Sequence, residues 1–496
     1  MARGSAYTRL EQRFHRLSLI DQALGILGWD MAAMMPPGGA ASRGEQMATL
    51  KALAHEILTA TEVKPLLDAA EDEDLDDWAR ANLHEMRRDW VHAAAVPSRL
   101  VEDLSRASSA CETVWRKARA ASDFAMVAAP LGELLGLTRK IAEIKGQTLG
   151  LSPYDALLDQ YEPGGTSAAI DVVFDDLSDF LPGFLDQVLA RQGPAPERPT
   201  GPFPIDRQRE LGLRMMAVLG FDFDHGRLDV SQHPFCGGTP DDIRITTRYD
   251  ENDFIKSLLS VLHETGHALY ERGLPPAWRT QPVGRARGMS VHESQSLLME
   301  MQACRSREFF TFAAPLIADV LGTAGQAGWE PETLQALTVR VTPDFIRTDA
   351  DEVTYPAHVI LRYRLEKALI AGDLEVGDIP AAWNEGMVSL LGIRPPDDRR
   401  GCLQDLHWYD GAFGYFPTYT LGAMTAAQLF DAAQKAQPDL LLSIGRGDFA
   451  PLVGWLRTNV HAKASSLSTD DLLIAATGRP LDSEVFKNHL RRRYLA

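Results

Sequence analysis

The stretch Phe254–Gly273, FIKSLLSVLHETGHALYERG, decides the fold of the region around it. Its first residue, Phe254, and Leu258, Leu262 and Leu269 recur at helical spacing and form an apolar stripe, so the stretch predicts an amphipathic helix. Acidic residues before it favour a helix start, and the prolines after it end the helix. Gly266 costs about 1 kcal/mol relative to Ala inside a helix, which indicates that another element packs closely against that turn.

The same helix carries His263-Glu264-Thr265-Gly266-His267, a pattern typical of metal binding. Histidines four residues apart lie on one face of a helix, about one turn apart, and can both bind one ion. Glu264 lies between them, in position to take a proton from a water molecule that the metal activates and to pass it to the leaving amine. The alternative is a helix in which ordinary hydrogen bonds satisfy both histidines.

Catalytic zinc takes three protein ligands and a water molecule, so a third ligand is expected downstream. The candidate segment is His292-Glu293-Ser294-Gln295, which opens another helical run. From this segment alone, either His292 or Glu293 could bind the metal. Glu300 follows Glu293 on the same helical face, either to orient a ligand or as a surface carboxylate.

Most of the remaining chain also predicts helices. Apolar residues from Leu10 to Leu24 recur at helical spacing, until two prolines and two glycines interrupt the pattern at 36–39. Further helices are predicted over 42–60, 63–70, 75–94 and 98–121. Residues 192–203 contain four prolines and predict a loop between helical blocks, with a hinge as the alternative.

One segment, residues 232–250, departs from the helical pattern. Gly237-Gly238-Thr239-Pro240 is typical of a turn, and residues 243–249 alternate β-branched with polar side chains, as strands do. The segment ends just before the metal-binding helix, so we expect a short hairpin or small sheet beside the active site. Because no stretch resembles a flexible linker, the sequence predicts one mainly α domain over residues 1–496.

Composition and charge narrow the possible functions. The 496 residues are 45% hydrophobic and carry a formal net charge of −18, which argues against nucleic-acid binding, since that requires clustered basic residues. No segment approaches the roughly 20 apolar residues of a membrane span, and the charged N-terminus lacks the apolar core of a signal peptide. The four cysteines form no metal-binding spacing and suit reduced thiols, so we expect a cytoplasmic protein.

Eight stretches carry a family resemblance. They are GWDMAAMMPPGGAASRGEQMATL (28–50), SPYDALLDQYEPGGTS (152–167), HPF (233–235), DIRIT (242–246), HETGH (263–267), HESQ (292–295), IRTDAD (346–351) and GCLQDLHW (401–408). Their content and order resemble the carboxypeptidase Taq family of metallocarboxypeptidases, from about residue 7 to the C-terminus. The HETGH pattern alone is shared by many peptidases, whereas the ordered set is specific to this family.

The resemblance implies a large helical gluzincin-type peptidase fold with a deep active-site groove, and the single domain can form two lobes on either side of it. It implies His263, His267 and Glu293 as metal ligands and Glu264 as the catalytic base. Family members remove single residues from the C-termini of peptides with broad specificity and are typically homodimers. Zinc is the usual metal, one ion per subunit, and cobalt commonly supports activity.

A carboxypeptidase must bind a free α-carboxylate, which arginine does through two parallel N–H bonds. Arg347 in the IRTDAD motif is the first candidate, and its alternative role is a structural ion pair with Asp349 or Asp351. Arg244 is the second candidate, although in its strand we expect it to brace the sheet against Asp242.

An oxyanion that forms during peptide hydrolysis needs a hydrogen-bond donor besides the metal. His407 is the best candidate, oriented by Asp405, and its alternative is a core histidine packed beside a tryptophan. Tyr415 and Tyr419 offer phenols nearby, and of the two we favour Tyr419 for catalysis. His233, which precedes the predicted strand, is expected to be structural or to line the groove.

The sequence thus predicts a metallocarboxypeptidase that releases single amino acids from short peptides. Two alternatives share its metal chemistry, a dipeptidyl carboxypeptidase and an oligo-endopeptidase. A third alternative, from another class, is a non-catalytic helical protein that binds peptides and uses the metal only for structure. Glu264 argues against that alternative, because a structural site does not require a base.

Overall fold

The computed structural model describes residues 4–496 and confirms the predicted fold class, since helices dominate and a small sheet lies beside the helix of the HETGH motif. The helices are α1 (Ala6–Ala33), α2 (Ala40–Thr59), α3 (Val63–Ala70), α4 (Asp77–Ala94), α5 (Ser98–Ala121), α6 (Ala125–Leu149), α7 (Pro153–Leu158), α8 (Ser167–Arg191), α9 (Ile205–Leu219), α10 (Phe254–Gly273), α11 (Met289–Leu297), α12 (Arg307–Leu321), α13 (Pro331–Thr338), α14 (Tyr355–Ala371), α15 (Ile379–Leu391), α16 (Pro417–Ala436), α17 (Leu440–Ile444), α18 (Ala450–Asn459), α19 (Thr469–Thr477) and α20 (Ser483–Tyr494). The strands are β1 (Gly226–Val230), β2 (Phe235–Thr239) and β3 (Asp242–Thr247). Among the described residues, no helix has both the length and the apolar character that a bilayer crossing requires.

The N-terminal helices follow their predicted bounds closely. Helices α3 and α5 begin and end at the predicted residues. Helix α4 begins two residues later than predicted, because the Asp76 carboxylate accepts a hydrogen bond from the Ala79 amide at 2.8 Å and caps the helix there. Helix α2 begins two residues earlier, because the 3₁₀ turn Pro37–Gly39 leads directly into it. The predicted loop at 192–203 has no regular secondary structure, as expected.

The sheet has the order β1-β3-β2, with β1 parallel and β2 antiparallel to β3. It confirms the expected hairpin, but the turn was predicted in the wrong place. Gly237 and Gly238 lie inside β2, and the chain reverses at Pro240 and Asp241. The two strands approach closely at Gly238, where φ is 89° and a Cβ would lie 3.2 Å from the amide nitrogen of Arg244, so this strand position requires glycine. Strand β1 was not predicted.

The sheet supports α10 from one side. Ile243 and Ile245 of β3 form a small apolar core with Val261 and Ala268 of α10 and with Leu228 of β1. A much larger core lies on the other side of α10 and extends along the chain from Ala107 to Leu490. A separate cluster joins α1, α3 and α4. Helix α10 therefore lies between the sheet and the main core, which restricts its rotation.

Helix α11 crosses α10 at Gly266, as the position of this glycine predicted. A Cβ at Gly266 would lie 2.6 Å from the Cα of Ser296 and would also overlap the carbonyl of Gln295. After α11 the chain continues as a π-helix over Leu298–Ala303 and bends before α12 starts. The single helical run expected after the HESQ motif is thus divided into three parts.

We expect Gly266→Ala to lower the free energy of unfolding by about 1–3 kcal/mol, because the added methyl group must push α10 and α11 apart. Chemical denaturation measures this change. Gly136→Ala is the matched control, since Gly136 lies inside α6 with no atom within 4 Å of an added Cβ. The control should raise stability by about 0.5–1 kcal/mol. A neutral effect of Gly266→Ala would contradict the close contact between the helices.

Candidate metal centre and active site

Three side chains predicted as metal ligands come together between α10 and α11. Ligand atoms of His263, His267 and Glu293 all lie within 4.8 Å of one another. The Oε2 atom of Glu293 lies 4.0 Å from Nε2 of His263 and 3.6 Å from Nε2 of His267. The histidines share one face of α10 because they are four residues apart, and the close approach at Gly266 brings Glu293 opposite them.

In each histidine, the ring nitrogen that points away from Glu293 forms a hydrogen bond. Nδ1 of His267 lies 3.1 Å from the backbone carbonyl of His292, and Nδ1 of His263 lies 3.0 Å from Oε2 of Glu300. Both partners are acceptors, so each Nδ1 carries a proton and Nε2 is the nitrogen that faces Glu293. This arrangement of histidine and backbone or carboxylate acceptor is typical of metal sites. Of the two roles considered for Glu300, the structure therefore supports the orientation of a ligand, His263, over that of a surface carboxylate.

The donor set fits a divalent metal ion such as zinc. Ligand atoms about 2.0–2.2 Å from a tetrahedral ion lie roughly 3.3–3.5 Å from one another, close to the observed distances to Glu293. Burial by itself would lower the pKa of His263, but the bond to Glu300 and the charges of Glu293 and Glu264 outweigh it and raise this pKa to about 10. The carboxylates therefore make the pocket favourable for a cation.

Glu264 lies beside these ligands, buried and with no hydrogen-bond partner for its carboxylate among residues 4–496. Burial raises the pKa of Glu264 to about 7. A packing role does not account for a carboxylate at this position, because no protein group compensates the cost of its partial burial.

His292, the alternative third ligand, has other contacts. Its Nε2 lies 2.9 Å from Oε1 of Glu271 on α10, while its backbone carbonyl holds His267. The group of side chains that could bind a metal includes Glu293 and leaves out His292. His233, which was expected to be structural or to line the groove, has an exposed side chain, and its carbonyl accepts a hydrogen bond from Ser231.

Arg347 is buried and forms an ion pair with Asp405, not with Asp349 or Asp351, the partners considered for its alternative structural role. Its Nε and Nη2 donate to one oxygen of Asp405 at 3.1 and 2.8 Å. The other oxygen of Asp405 accepts from Nε of Arg362 at 2.7 Å. Two guanidinium groups thus share one carboxylate, so the buried cluster has a net charge of +1. Burial raises the pKa of Glu293, and the positive charge of Arg347 is among those that oppose this rise.

Arg244 instead braces the sheet, as its position in the DIRIT strand predicted. Both ends of its guanidinium group donate to the carboxylate of Asp242, at 3.0 and 2.7 Å. The same group stacks on Trp29 of α1, with 4.4 Å between the guanidinium carbon and the ring centre. These contacts pair the charge of Arg244 with that of Asp242, whereas Arg347 shares its carboxylate with a second arginine.

His407 contacts the favoured tyrosine. Its Nε2 lies 3.1 Å from the hydroxyl of Tyr419, and its ring packs on Phe416 with 4.4 Å between centres. Asp405, which was expected to orient it, makes its hydrogen bonds with the two arginines instead. The Tyr419 ring also lies under the Arg347 guanidinium group, 4.6 Å away. Tyr415 packs beside Tyr419, with 5.3 Å between ring centres.

A groove opens beside this site. One cavity of about 580 Å³ is bounded by residues of α1, α4, β2, α10 and α11, and it reaches Glu271 and His292. A second cavity of about 390 Å³ lies between α1, α2, α4 and α6 and shares Arg88 and Arg285 with the first. The N-terminal helices therefore form one wall of the groove, and α10 and α11 form the other.

Several residues of the site were missed by sequence reasoning. Tyr355 lies 3.4 Å from Nη1 of Arg347, Arg362 shares Asp405 with it, and Arg305 holds Glu300 through a short ion pair. A weak signal was present for two of them, because Tyr355 and Arg362 lie seven residues apart and therefore share one face of helix α14. No such signal marks Arg305.

Known proteins resemble the chain over its whole length. A family model described as Carboxypeptidase Taq (M32) metallopeptidase matches residues 9–494. Thermostable carboxypeptidase 1 of Thermus thermophilus is 36% identical over an alignment that covers 100% of this chain and 99% of the relative. The structure of Trypanosoma cruzi metallocarboxypeptidase 1 has a TM-score of 0.97 at 41% identity, covering 99% of each chain. A Pyrococcus furiosus carboxypeptidase has a TM-score of 0.95 at 33% identity, with the same coverage.

We expect Gly422→Ala to weaken metal binding about tenfold, the effect of disturbing a group that orients a ligand. Gly422 of α16 lies against Glu293, and an added Cβ would be 2.8 Å from both Cβ and Cγ of that side chain. Competition with a chromogenic chelator measures the affinity. Gly454→Ala in α18 is the control, since a Cβ there has no atom within 4 Å. Equal affinities of the two variants would show that the position of Glu293 is unimportant.

Proposed function

The chain belongs to the carboxypeptidase Taq (M32) family of metallopeptidases and is a metallocarboxypeptidase, and from this premise we propose which residues perform the reaction. It hydrolyses the C-terminal peptide bond of short peptides with broad specificity and releases single amino acids. The observation that carries this proposal is the buried cation of Arg347, Asp405 and Arg362. Arg347 stacks on Tyr419 of α16, one turn before Gly422, where the same helix packs against Glu293. A peptide whose carboxylate binds the cation presents its last peptide bond to the group of His263, His267 and Glu293.

His263, His267 and Glu293 hold one zinc ion per subunit, for which cobalt can substitute. When bound, this ion supplies Lewis-acid polarisation of the scissile carbonyl and activation of a water molecule. Support for the ligand set comes from the two Nε2 atoms and the carboxylate that face one another. The mixture of imidazole and carboxylate ligands supports zinc, which accepts both readily.

Glu264 is the general base of the reaction. Its carboxylate takes a proton from the attacking water and delivers it to the nitrogen of the departing amino acid. The absence of any hydrogen-bond partner within the described chain supports this role, because both carboxylate oxygens are available to water. Its place in α10 directly after His263 keeps it next to the reacting carbonyl.

Arg347 binds the α-carboxylate of the substrate. Its Nε and Nη2 are engaged by Asp405, while Nη1 has only a weak contact of 3.4 Å with the hydroxyl of Tyr355. A carboxylate is therefore an available partner for Nη1. Arg362 supports this role indirectly, since it offsets the charge of Asp405 and leaves the positive charge of Arg347 uncompensated.

His407 and Tyr419 act together on the oxyanion that develops on the scissile carbonyl, one donating a hydrogen bond to it and the other holding that donor in place. Their mutual contact of 3.1 Å supports a joint role, because one fixes the direction of the other. Tyr415 contributes to substrate binding from the segment just before α16. Arg244 remains a lesser candidate for carboxylate binding, because its charge is paired with that of Asp242.

The wider assignments are also proposals. We infer a homodimer in the cytoplasm, which acts on short peptides and does not bind nucleic acid or membranes. The four cysteines are free and three are buried, in agreement with a reducing compartment. Residues 1–496 act as one domain, in which the N-terminal helices form a lobe across the groove from α10 and α11.

Glu264→Gln should retain the fold and the metal but lose turnover by a factor of about 10²–10⁴, because the amide cannot accept the proton. Peptide hydrolysis and metal analysis of the same preparation test this together. Glu332→Gln is the control, since that side chain is exposed on α13. Wild-type turnover in Glu264→Gln with metal bound would rule out its role as the base.

Arg347→Ala should abolish the preference for a free C-terminus. The assay compares an N-blocked peptide with its C-terminally amidated twin, which lacks the carboxylate charge. Wild-type enzyme should cleave the free acid far faster, and Arg347→Ala should raise its KM by about tenfold or more, the loss of one charge-assisted hydrogen bond. Arg244→Ala, in which the same residue type is removed from the sheet, should keep the preference.

Two outcomes of that assay would contradict the proposed reaction, and a third would contradict the role given to Arg347. Equal cleavage of the two peptides by the wild-type enzyme would favour an oligo-endopeptidase. Loss of two residues per step, seen in the product masses, would favour a dipeptidyl carboxypeptidase. Loss of the preference in Arg244→Ala rather than in Arg347→Ala would exchange the roles of the two arginines.

A further inference from the structure

The helix that carries Glu293 changes form directly after α11. Residues Leu298–Ala303 are π-helical, and the amide of Cys304 donates to the carbonyl of Met299 at 2.9 Å, with the i→i+5 spacing of that form. Such turns are rare and occur frequently at functional sites. The chain then bends before α12, so the last carbonyls of the π-helix lie at a helix end and need partners from elsewhere.

The π-helix carries Glu300, the partner of His263. One oxygen of Glu300 lies 3.0 Å from Nδ1 of His263, and the other forms a short ion pair with Arg305 at the bend. Arg305 is itself held by the carbonyl of Thr338 at 3.1 Å. The ring of His263 is therefore oriented by a carboxylate whose direction depends on the backbone of the π-helix.

The C-terminal helix of the protein caps this segment. Arg493 of α20 donates through Nη1 to the carbonyl of Met301 and through Nη2 to the carbonyl of Gln302, the latter at 3.1 Å. A guanidinium group presents its donors in a fixed planar fork, so it can hold two successive carbonyls at once. The cap joins two segments that are far apart in the sequence.

Arg493 is itself held in place by Glu352, which is only 1% exposed. Nη1 of Arg493 lies 2.9 Å from Oε2 of Glu352, and His489 and Tyr494 of the same helix contact this carboxylate at 2.8 and 3.1 Å. The side chain of Gln302 donates to it at 2.9 Å. The buried carboxylate of Glu352 thus connects α20 to the π-helix through hydrogen bonds to both.

We propose that Arg493 is a positioning residue for the metal centre. Through its two carbonyl bonds it fixes the end of the π-helix, and through Glu300 it fixes the ring of His263. The inference rests on one part of the proposed function, namely that His263 is a metal ligand. It assigns to the C-terminal helix a role in metal affinity, although none of its residues contacts a proposed ligand.

The test is a titration of folded, metal-free protein with Zn²⁺ in competition with a chromogenic chelator. Arg493→Ala should weaken the affinity about tenfold, the lower end of the range for groups that orient ligands. It should also shift the visible absorption bands of the Co²⁺-loaded protein, which report ligand geometry. Arg492→Ala is the matched control, since that neighbouring side chain is 62% exposed and lies 3.6 Å from Asp431.

Arg493→Lys separates positioning from general stability. Lysine keeps the positive charge beside Glu352 but cannot hold two carbonyls in a fixed fork. We therefore expect the thermal midpoint to recover toward that of the wild type while the weakened metal affinity persists. If Arg493→Ala does not fold, Arg493→Gln, which keeps one amide donor, replaces it in the same titration.

Wild-type Zn²⁺ affinity and Co²⁺ spectra in the Arg493 variants, with only the thermal midpoint lowered, would overturn the proposal. Full recovery of affinity by lysine would overturn it too, because charge rather than the two carbonyl bonds would then be responsible. His263→Ala in the same titration keeps the two proposals distinct. If that variant binds Zn²⁺ like the wild type, the ligand set of the proposed function is wrong, whatever the Arg493 variants do.

Discussion

The backbone contact between α10 and α11 at Gly266 is the constraint on which the metal centre depends. Since Gly266 has no side chain, the backbone at Gln295 and Ser296 can approach α10 directly. The same approach brings the carbonyl of His292 to Nδ1 of His267 and the carboxylate of Glu293 to both histidines. A side chain at this crossing would separate the helices, and the ligand distances would increase with them.

Buried ion pairs surround this contact and fix the side chains near it. Glu300 is paired with Arg305, Asp405 with Arg347 and Arg362, and Glu352 with Arg493. Buried ion pairs are weak evidence for stability, because desolvation offsets most of their attraction. Their effect here is directional, since each pair fixes a side chain or backbone segment that points to the site. The same arrangement holds Asp405 at a pKa far below its usual range, because Arg347 and Arg362 outweigh the effect of burial.

Much of the local structure could be predicted because it depends on neighbours in sequence. Helices α3 and α5 followed from apolar spacing between clear breaks, and α10 from its apolar stripe and its terminal signals. Strand β1 was missed because its five residues, GRLDV, bury only Leu228 and show little pattern. The glycines of β2 were wrongly predicted to form a turn. They are required by the close approach of β3, a contact that the local sequence pattern does not reveal.

The sequence by itself predicted the candidate metal-binding helix, its three candidate ligands and the candidate base, from the spacing in HETGH and from the resemblance of the ordered motifs to the family. It could not determine the partners of Arg347, since Asp349 and Asp351 are near in the chain whereas Asp405 is near only in space. Nor could it show the π-helix after α11, because its apolar pattern continues without a break. Only the tertiary structure decided these points, since contacts between distant segments determine which donors meet which acceptors.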